Sequence, residues 1–139
     1  ADPRSPAEAG AIAGEIARTL GAMADLASAS VTLVTGEGGS GGALALAFAD
    51  RLLLLEHAVF SVIAPEGAAA ILDRDTERAP SRAEDLALTA AQLVEAGIID
   101  GVIEESEPAV RRALARAIDE AVAGDRGRRF DDATARWLR

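Results

Sequence analysis

Five glycines fall within seven residues at Gly36-Glu37-Gly38-Gly39-Ser40-Gly41-Gly42. An apolar run, Ser30-Val31-Thr32-Leu33-Val34-Thr35, leads into them, and Ala43-Leu44-Ala45-Leu46-Ala47-Phe48 leads away. A strand that breaks into glycines and re-forms as a helix presents bare backbone N–H groups at a helix N-terminus. Such donors hold an anion, either a bound phosphate or the oxyanion of a reacting carbonyl.

The side chains nearby limit the choice. No Lys follows the last glycines, so the nucleotide-triphosphate loop pattern fails. The dinucleotide pattern G-x-G-x-x-G matches formally over Gly36–Gly41, but the next acidic strand end, Glu56, follows too short a helix. A tight turn that lets helix and strand pack closely also accounts for the glycines. Gly38-Gly39-Ser40-Gly41-Gly42 fits G-x-S-x-G by letter, but the nucleophile elbow with its triad partners is lacking, and Ser40 reads as a loop hydrogen-bonder. His57 follows a strand end and reads as a loop or interface residue rather than a general base. Glu37 and Glu66 lie beside glycines where a carboxylate can orient a loop or accept a proton; charged residues are mostly solvated, and these are expected to be so. The arginines at 126–129 form the only basic concentration, expected as a solvated terminal face rather than a phosphate contact.

Elements must place these groups. Ser5-Pro6-Ala7-Glu8 reads as a capped helix start. Ile12, Ile16, Leu20 and Met23 then form one apolar stripe of a helix over 7–27. Strands are expected at 30–35, 52–55 and 59–63, apolar enough to be buried on both faces of a parallel sheet. Short helices are expected over 41–50 and 68–72, with a charged surface loop over 73–80. Ser81-Arg82-Ala83-Glu84 and Thr89-Ala90-Ala91-Gln92 read as capping boxes of two further helices, the second stopped by Gly97. Ile98–Ile103 reads as a short strand or a turn and strand. A helix is expected from Pro108 to about Ala123, with Val110, Leu114, Ile118 and Val122 on one face and Gly124 after it. The Arg-rich stretch reads as a loop, and 131–139 as a terminal helix. No internal repeat or linker is visible. The pattern is α/β in the parallel sense, and it opens on a helix whose preceding strand is absent.

Composition excludes several classes. The 139 residues suit one domain. They carry a formal net charge of −9, which disfavours a nucleic-acid surface. There is no Cys, and His57 is the only histidine, so thiolate sites are excluded and a metal site would rest on carboxylates. No apolar run approaches the about 18 residues of a membrane helix. A cytoplasmic protein is expected.

The order of residues also resembles a known family. The run Gly36 to Ala45, then Asp50-Arg51, Leu54-Leu55-Glu56, Phe60-Ser61-Val62-Ile63-Ala64-Pro65-Glu66-Gly67 and Ala70-Ile71-Leu72 is similar to the alpha subunit of bacterial acetyl-CoA carboxylase carboxyltransferase. Leu88-Thr89-Ala90 and Gly97-Ile98-Ile99-Asp100 continue the match, which covers most of residues 6–104. The chain departs from the family where Ala68 and Asp73 stand at its usual Cys and Trp, and where Glu104–Pro108 replaces its usual segment after the last strand. The family's amino-terminal region is not present in these residues.

The resemblance implies a crotonase fold, a spiral of ββα units, with residues 1–139 as one alpha-type domain that is incomplete on its own. It implies transfer of a carboxyl group from carboxybiotin, held on a biotin carboxyl carrier protein, to the α-carbon of an acyl-CoA, most simply acetyl-CoA. By motif position the Gly41 and Gly42 amides are oxyanion donors on the biotin side. Gly38 and Gly39 allow close backbone approach, and Ser40, Glu66 and Gly67 complete the contact set. No metal is implied. A beta-type subunit would share the active site in a hetero-oligomer. A malonyl-thioester decarboxylase subunit needs the same donors, and a non-catalytic structural subunit would use the glycines only for packing.

Overall fold

A computed structural model describes residues 11–137. The predicted helix start at Ser5–Glu8 lies outside them. Two ββα units follow a leading helix. Helix α1 (Ile12–Ala24) precedes β1 (Val31–Val34), β2 (Glu37–Gly39) and α2 (Ser40–Ala47). The second unit is β3 (Arg51–Leu55), β4 (Val59–Ser61) and α3 (Pro65–Leu72). A 3₁₀ turn (Thr76–Arg78), α4 (Ala79–Asp85) and α5 (Ala90–Glu95) lead to β5 (Gly101–Ile103), then α6 (Glu107–Glu120) and α7 (Asp125–Trp137).

The strands sort into two parallel sheets. The larger has the order β1-β3-β5, with Val31 opposite Arg51 and Leu53 opposite Gly101. The smaller pairs β2 with β4, placing Glu37 opposite Val59 and Gly39 opposite Ser61. The two units therefore repeat in architecture although no repeat is visible in the sequence. Alternation along β3 divides the core, since successive strand residues point to opposite faces. Leu52 and Leu54 join Ala47, Ala58, Phe60, Ala90, Leu93 and Ile99 on one side. Leu53 joins Ile103 and Ala117 on the other. Each fully buried Leu contributes about 1.5–3 kcal/mol.

The glycine stretch is not a simple turn. Glu37–Gly39 is drawn into a strand because β4 offers a parallel partner, and the helix starts at Ser40 rather than Gly41. The expected loop at 73–80 contains the 3₁₀ turn, capped by Asp75, whose carboxylate accepts the Glu77 N–H at 3.0 Å. Helix α4 has already begun at Ala79 with Pro80 in its first turn, so Ser81 is interior and caps nothing. Thr89 and Gln92 do form both arms of a capping box, and Gly97 follows with φ +71°.

The stripe of α1 holds: Ile12, Ile16, Leu20 and Met23 are all half-buried, and Ile16 lies along α2 at Gly41. The stripe of α6 holds only in its first half, where Val110 packs on the sheet side and Leu114 is half-buried. Ile118 is 63% exposed, and Val122 at 58% lies past the helix end. Ala109, Ala113 and Ala117 face the sheet beside Val110. Small side chains let the helix lie close to the strands, which turns Ile118 outward. Among the described residues no helix is long and apolar enough to cross a membrane.

Candidate functional site

The register of the small sheet builds the site. With Gly39 opposite Ser61, both strands release the chain at the same end. Helix α2 starts at once with Ser40, and α3 starts with Pro65 after a short connection. Neither helix has a side-chain cap: Gly39 and Ala64 stand at the N-cap positions in extended conformation. The first N–H groups of a helix have no intrahelical acceptor. Gly41 and Gly42 on α2, and Glu66 and Gly67 on α3, therefore carry backbone donors at one end of one sheet.

The glycines divide by what surrounds them. A Cβ on Gly38 would lie 2.9 Å from Phe60 Cδ2 and 3.1 Å from Val34 Cγ1, so Gly38 serves packing beneath the strand. One on Gly41 would touch Ile16 of α1 at 3.4 Å, and one on Gly67 would lie 3.1 Å from Ile63. At Gly39 and Gly42 nothing among the described residues lies within 4 Å. Those two positions open the backbone to an approaching ligand. Ser40 between them is exposed and left-handed, with φ +62°. A non-glycine residue held there stores strain, as is common at functional sites.

The side chains singled out in the sequence are not gathered at this point. His57 lies in the β3–β4 connection, at the opposite end of β4, exposed and 3.4 Å from the Glu105 carboxylate. Glu37 and Glu66 are exposed. Ser61, not anticipated from the sequence, closes the chain exit from β4: its hydroxyl accepts the Ile63 N–H at 3.1 Å and donates to the Ile63 carbonyl. Among the described residues no group of three or more metal-binding side chains is assembled. The donor set is backbone N–H with open approach, which fits an oxygen that carries or gains negative charge.

Two ion pairs fix the elements that carry these donors. The Asp73 carboxylate at the end of α3 takes both arms of Arg82, at 2.7 and 2.8 Å. Those bonds from Arg82 hold the Asp73 carboxyl below its ordinary value and raise the arginine. Asp50, just after α2, is fully buried with Arg126. Burial pushes the Asp50 carboxyl up, but hydrogen bonds from the Arg126 backbone and from Ser30 outweigh it, and the carboxyl sits below its ordinary value. The arginines at 126–129 thus start α7 rather than forming a loop. Arg129 donates to the Ala49 and Ile98 carbonyls and pairs with Asp100 at 3.1 Å. Arg128 alone of these three points to solvent, paired with Asp125.

Two ββα units that turn their helix starts to one end of a small parallel sheet define a crotonase-type protein. Solved structures share the fold. A transcarboxylase 12S core, crystallised with methylmalonyl-coenzyme A and methylmalonic acid, aligns over 81% of this chain and 23% of its own, with a TM-score of 0.67 and 28% identity. A Pseudomonas malonate decarboxylase hetero-tetramer in complex with coenzyme A aligns over 96% and 61%, with a TM-score of 0.74 at 21% identity, a likeness of fold alone.

The chain belongs to the acetyl co-enzyme A carboxylase carboxyltransferase-like family, whose model matches residues 1–125. The acetyl-coenzyme A carboxylase carboxyl transferase subunits beta/alpha of Salinispora arenicola is 50% identical over 125 residues, which is 88% of this chain and 22% of that protein. The corresponding subunit alpha of Methylobacterium nodulans is 48% identical over 131 residues, 89% of this chain and 39% of that protein. The chain thus spans well under half the length of these curated relatives.

Proposed function

We propose that this chain supplies the alpha portion of a biotin-dependent acyl-CoA carboxyltransferase. Bound carboxybiotin would supply the carboxyl group, and acetyl-CoA is the simplest acceptor. Transfer of the carboxyl from the ureido nitrogen to the α-carbon, with the α-proton passing to that nitrogen, would build negative charge on the urea oxygen and on the thioester oxygen. We assign the Gly41 and Gly42 N–H groups to the first of these, where preorganised donors would stabilise charge without reorganising. Gly38 and Gly39 keep the strand beneath free of side chains, with Ser40, Glu66 and Gly67 bordering the same end of the sheet. No side-chain nucleophile is required.

A beta-type subunit would provide the second oxyanion site, and the carrier protein would deliver the biotin. The relative in which beta and alpha regions share one polypeptide supports that partnership. The observation that carries this reading is the uncapped start of α2 with open space at Gly42.

The test is Gly42→Val in the assembled complex. Lost carboxyl transfer with an intact complex supports the reading, whereas lost assembly with the chemistry unaffected in residual complex indicates a packing role. Malonyl-CoA decarboxylation by the native complex, with and without free biocytin, adds a second check. Turnover that needs biocytin is carboxyl transfer run backwards. Turnover without it overturns the biotin assignment and points to a thioester decarboxylase.

A further inference from the structure

Helix α2 carries the Gly41 and Gly42 donors, yet after Ser40 it has no polar side chain. Ala45 and Ala47 are its buried residues, and Ala43 packs against the same core as Ala47. Apolar contact is non-directional, and methyl side chains present little relief to lock a register. Packing alone therefore lets the helix slide along its axis. The ladder of i to i−4 hydrogen bonds makes a helix stiff in that direction, so a slide at its last turn is a slide at Gly42.

One directional contact reaches α2 from the larger sheet. The Thr32 hydroxyl on β1 donates to the Leu46 carbonyl at 2.6 Å. Val31 and Leu33 pack on the α6 side, so alternation along the strand turns Thr32 toward α2. Leu46 stands in the last turn of α2, where carbonyls have no donor within the helix. Among the described residues no other side chain bonds to α2. Asp50 holds the chain after the C-cap residue Phe48, whereas Thr32 holds the helix itself.

We propose that Thr32 is a positioning residue for carboxyl transfer: its hydroxyl sets where α2 lies along its axis, and so where the Gly41 and Gly42 N–H groups meet the reacting oxygen. The inference rests on the carboxyl-transfer reading of that site. Thr32 touches no reacting atom. It acts through the Leu46 carbonyl, and its effect belongs to the transition state, where the placement of donors counts most.

The experiment compares Thr32→Val and Thr32→Ser with the parent in the assembled complex, by steady-state malonyl-CoA turnover with biocytin and by thermal unfolding. Valine keeps the shape and strand preference of threonine but cannot donate. It is expected to lower kcat about tenfold and leave KM for malonyl-CoA within about twofold, the pattern of an interaction made only in the transition state. Serine keeps the hydroxyl and should restore kcat. An unchanged kcat in the valine variant overturns the assignment, as does a serine variant no faster than valine. A lower melting temperature with an unchanged kcat assigns Thr32 to stability alone and overturns it as well. If the valine variant fails to assemble, Thr32→Ala against Thr32→Ser gives the same comparison. Parent turnover that needs no biocytin overturns the biotin reading, and the variants are then compared on that turnover, which needs the same donors. No parent turnover under either condition overturns both.

Discussion

Asp50 accepts the backbone N–H of Arg126 at 3.0 Å, across 76 residues of sequence. The other carboxylate oxygen takes the Ser30 N–H and hydroxyl, both at 2.9 Å, and lies 3.5 Å from the Arg126 guanidinium. The arginine in turn holds the Leu26 and Ser28 carbonyls. One buried carboxylate thus ties together the exit of α2, the entry to β1 and the start of α7. The helix that carries Gly41 and Gly42 has its far end fixed at this junction.

Removing the carboxylate leaves a buried guanidinium without its carboxylate and three donors without acceptors, the Arg126 and Ser30 N–H groups and the Ser30 hydroxyl. Asp50→Ala is expected to cost about 3–5 kcal/mol, the range for breaking a buried ion pair from one side. Asp50→Asn keeps one acceptor oxygen and should cost less. Urea unfolding midpoints of the two variants against the parent provide the measurement; a loss under 1 kcal/mol in the alanine variant would remove the junction from the account.

The same carboxylates set the response to acid. Asp50 and Asp73 both titrate below the 3.8 of an unperturbed aspartate, so the unfolded chain takes up their protons first. Stability from these pairs is complete above that value and is lost as pH falls through the folded values. Melting temperature should therefore fall as pH drops below about 4. Asp50→Asn should flatten that fall, and an unchanged slope would contradict the assignment.

Much of this architecture can be read from local pattern, and the exceptions share a cause. The α1 stripe, the Thr89 capping box and the stop at Gly97 follow from periodicity and turn chemistry within a few residues, as do the strands expected at 52–55 and 59–63, although the second ends early, at Ser61. The strand at Glu37–Gly39 does not, because its reason is a parallel partner 22 residues on. Asp50 and Arg126 are each ordinary charged residues in sequence, and only the fold reveals that they meet. The α6 stripe misled at Ile118 and Val122, because close approach to the sheet put Ala113 and Ala117 on the inner face and the helix ends at Glu120. The glycine site was legible from composition and order, but sequence could not tell the packing glycine, Gly38, from the open ones, Gly39 and Gly42.

That division is testable by stability alone. Gly38→Ala drives a methyl group to 2.9 Å from the Phe60 ring, and overpacking of that kind costs about 1–3 kcal/mol. Gly39→Ala meets nothing within 4 Å and should leave unfolding within about 0.5 kcal/mol of the parent, as expected of a surface change. Equal losses in the two variants would show that the strand tolerates or rejects both alike.

Ser40 offers the opposite sign. Its φ of +62° is the left-handed region, which costs a non-glycine residue about 1–2 kcal/mol and costs glycine little. Ser40→Gly should therefore raise the melting temperature or leave it unchanged, since the extra freedom of the unfolded chain takes back part of the gain. A clear loss of stability would mean that the hydroxyl, rather than the backbone, is what the fold needs at this position.

Gly42 separates catalysis from packing most cleanly. It lies in the first turn of α2, its φ is not left-handed, and an added methyl group meets no described atom within 4 Å. Alanine is favoured over glycine inside a helix by up to about 1 kcal/mol. Gly42→Ala should then unfold no more easily than the parent and assemble normally. If its N–H faces the reacting oxygen, the methyl group intrudes on the ligand, and kcat for carboxyl transfer should drop by as much as about 10²-fold, the scale of losing one oxyanion donor. Steady-state rates and unfolding midpoints on the same preparation decide the matter. An unaltered rate in a stable variant would leave the glycine start of α2 with no role in the chemistry.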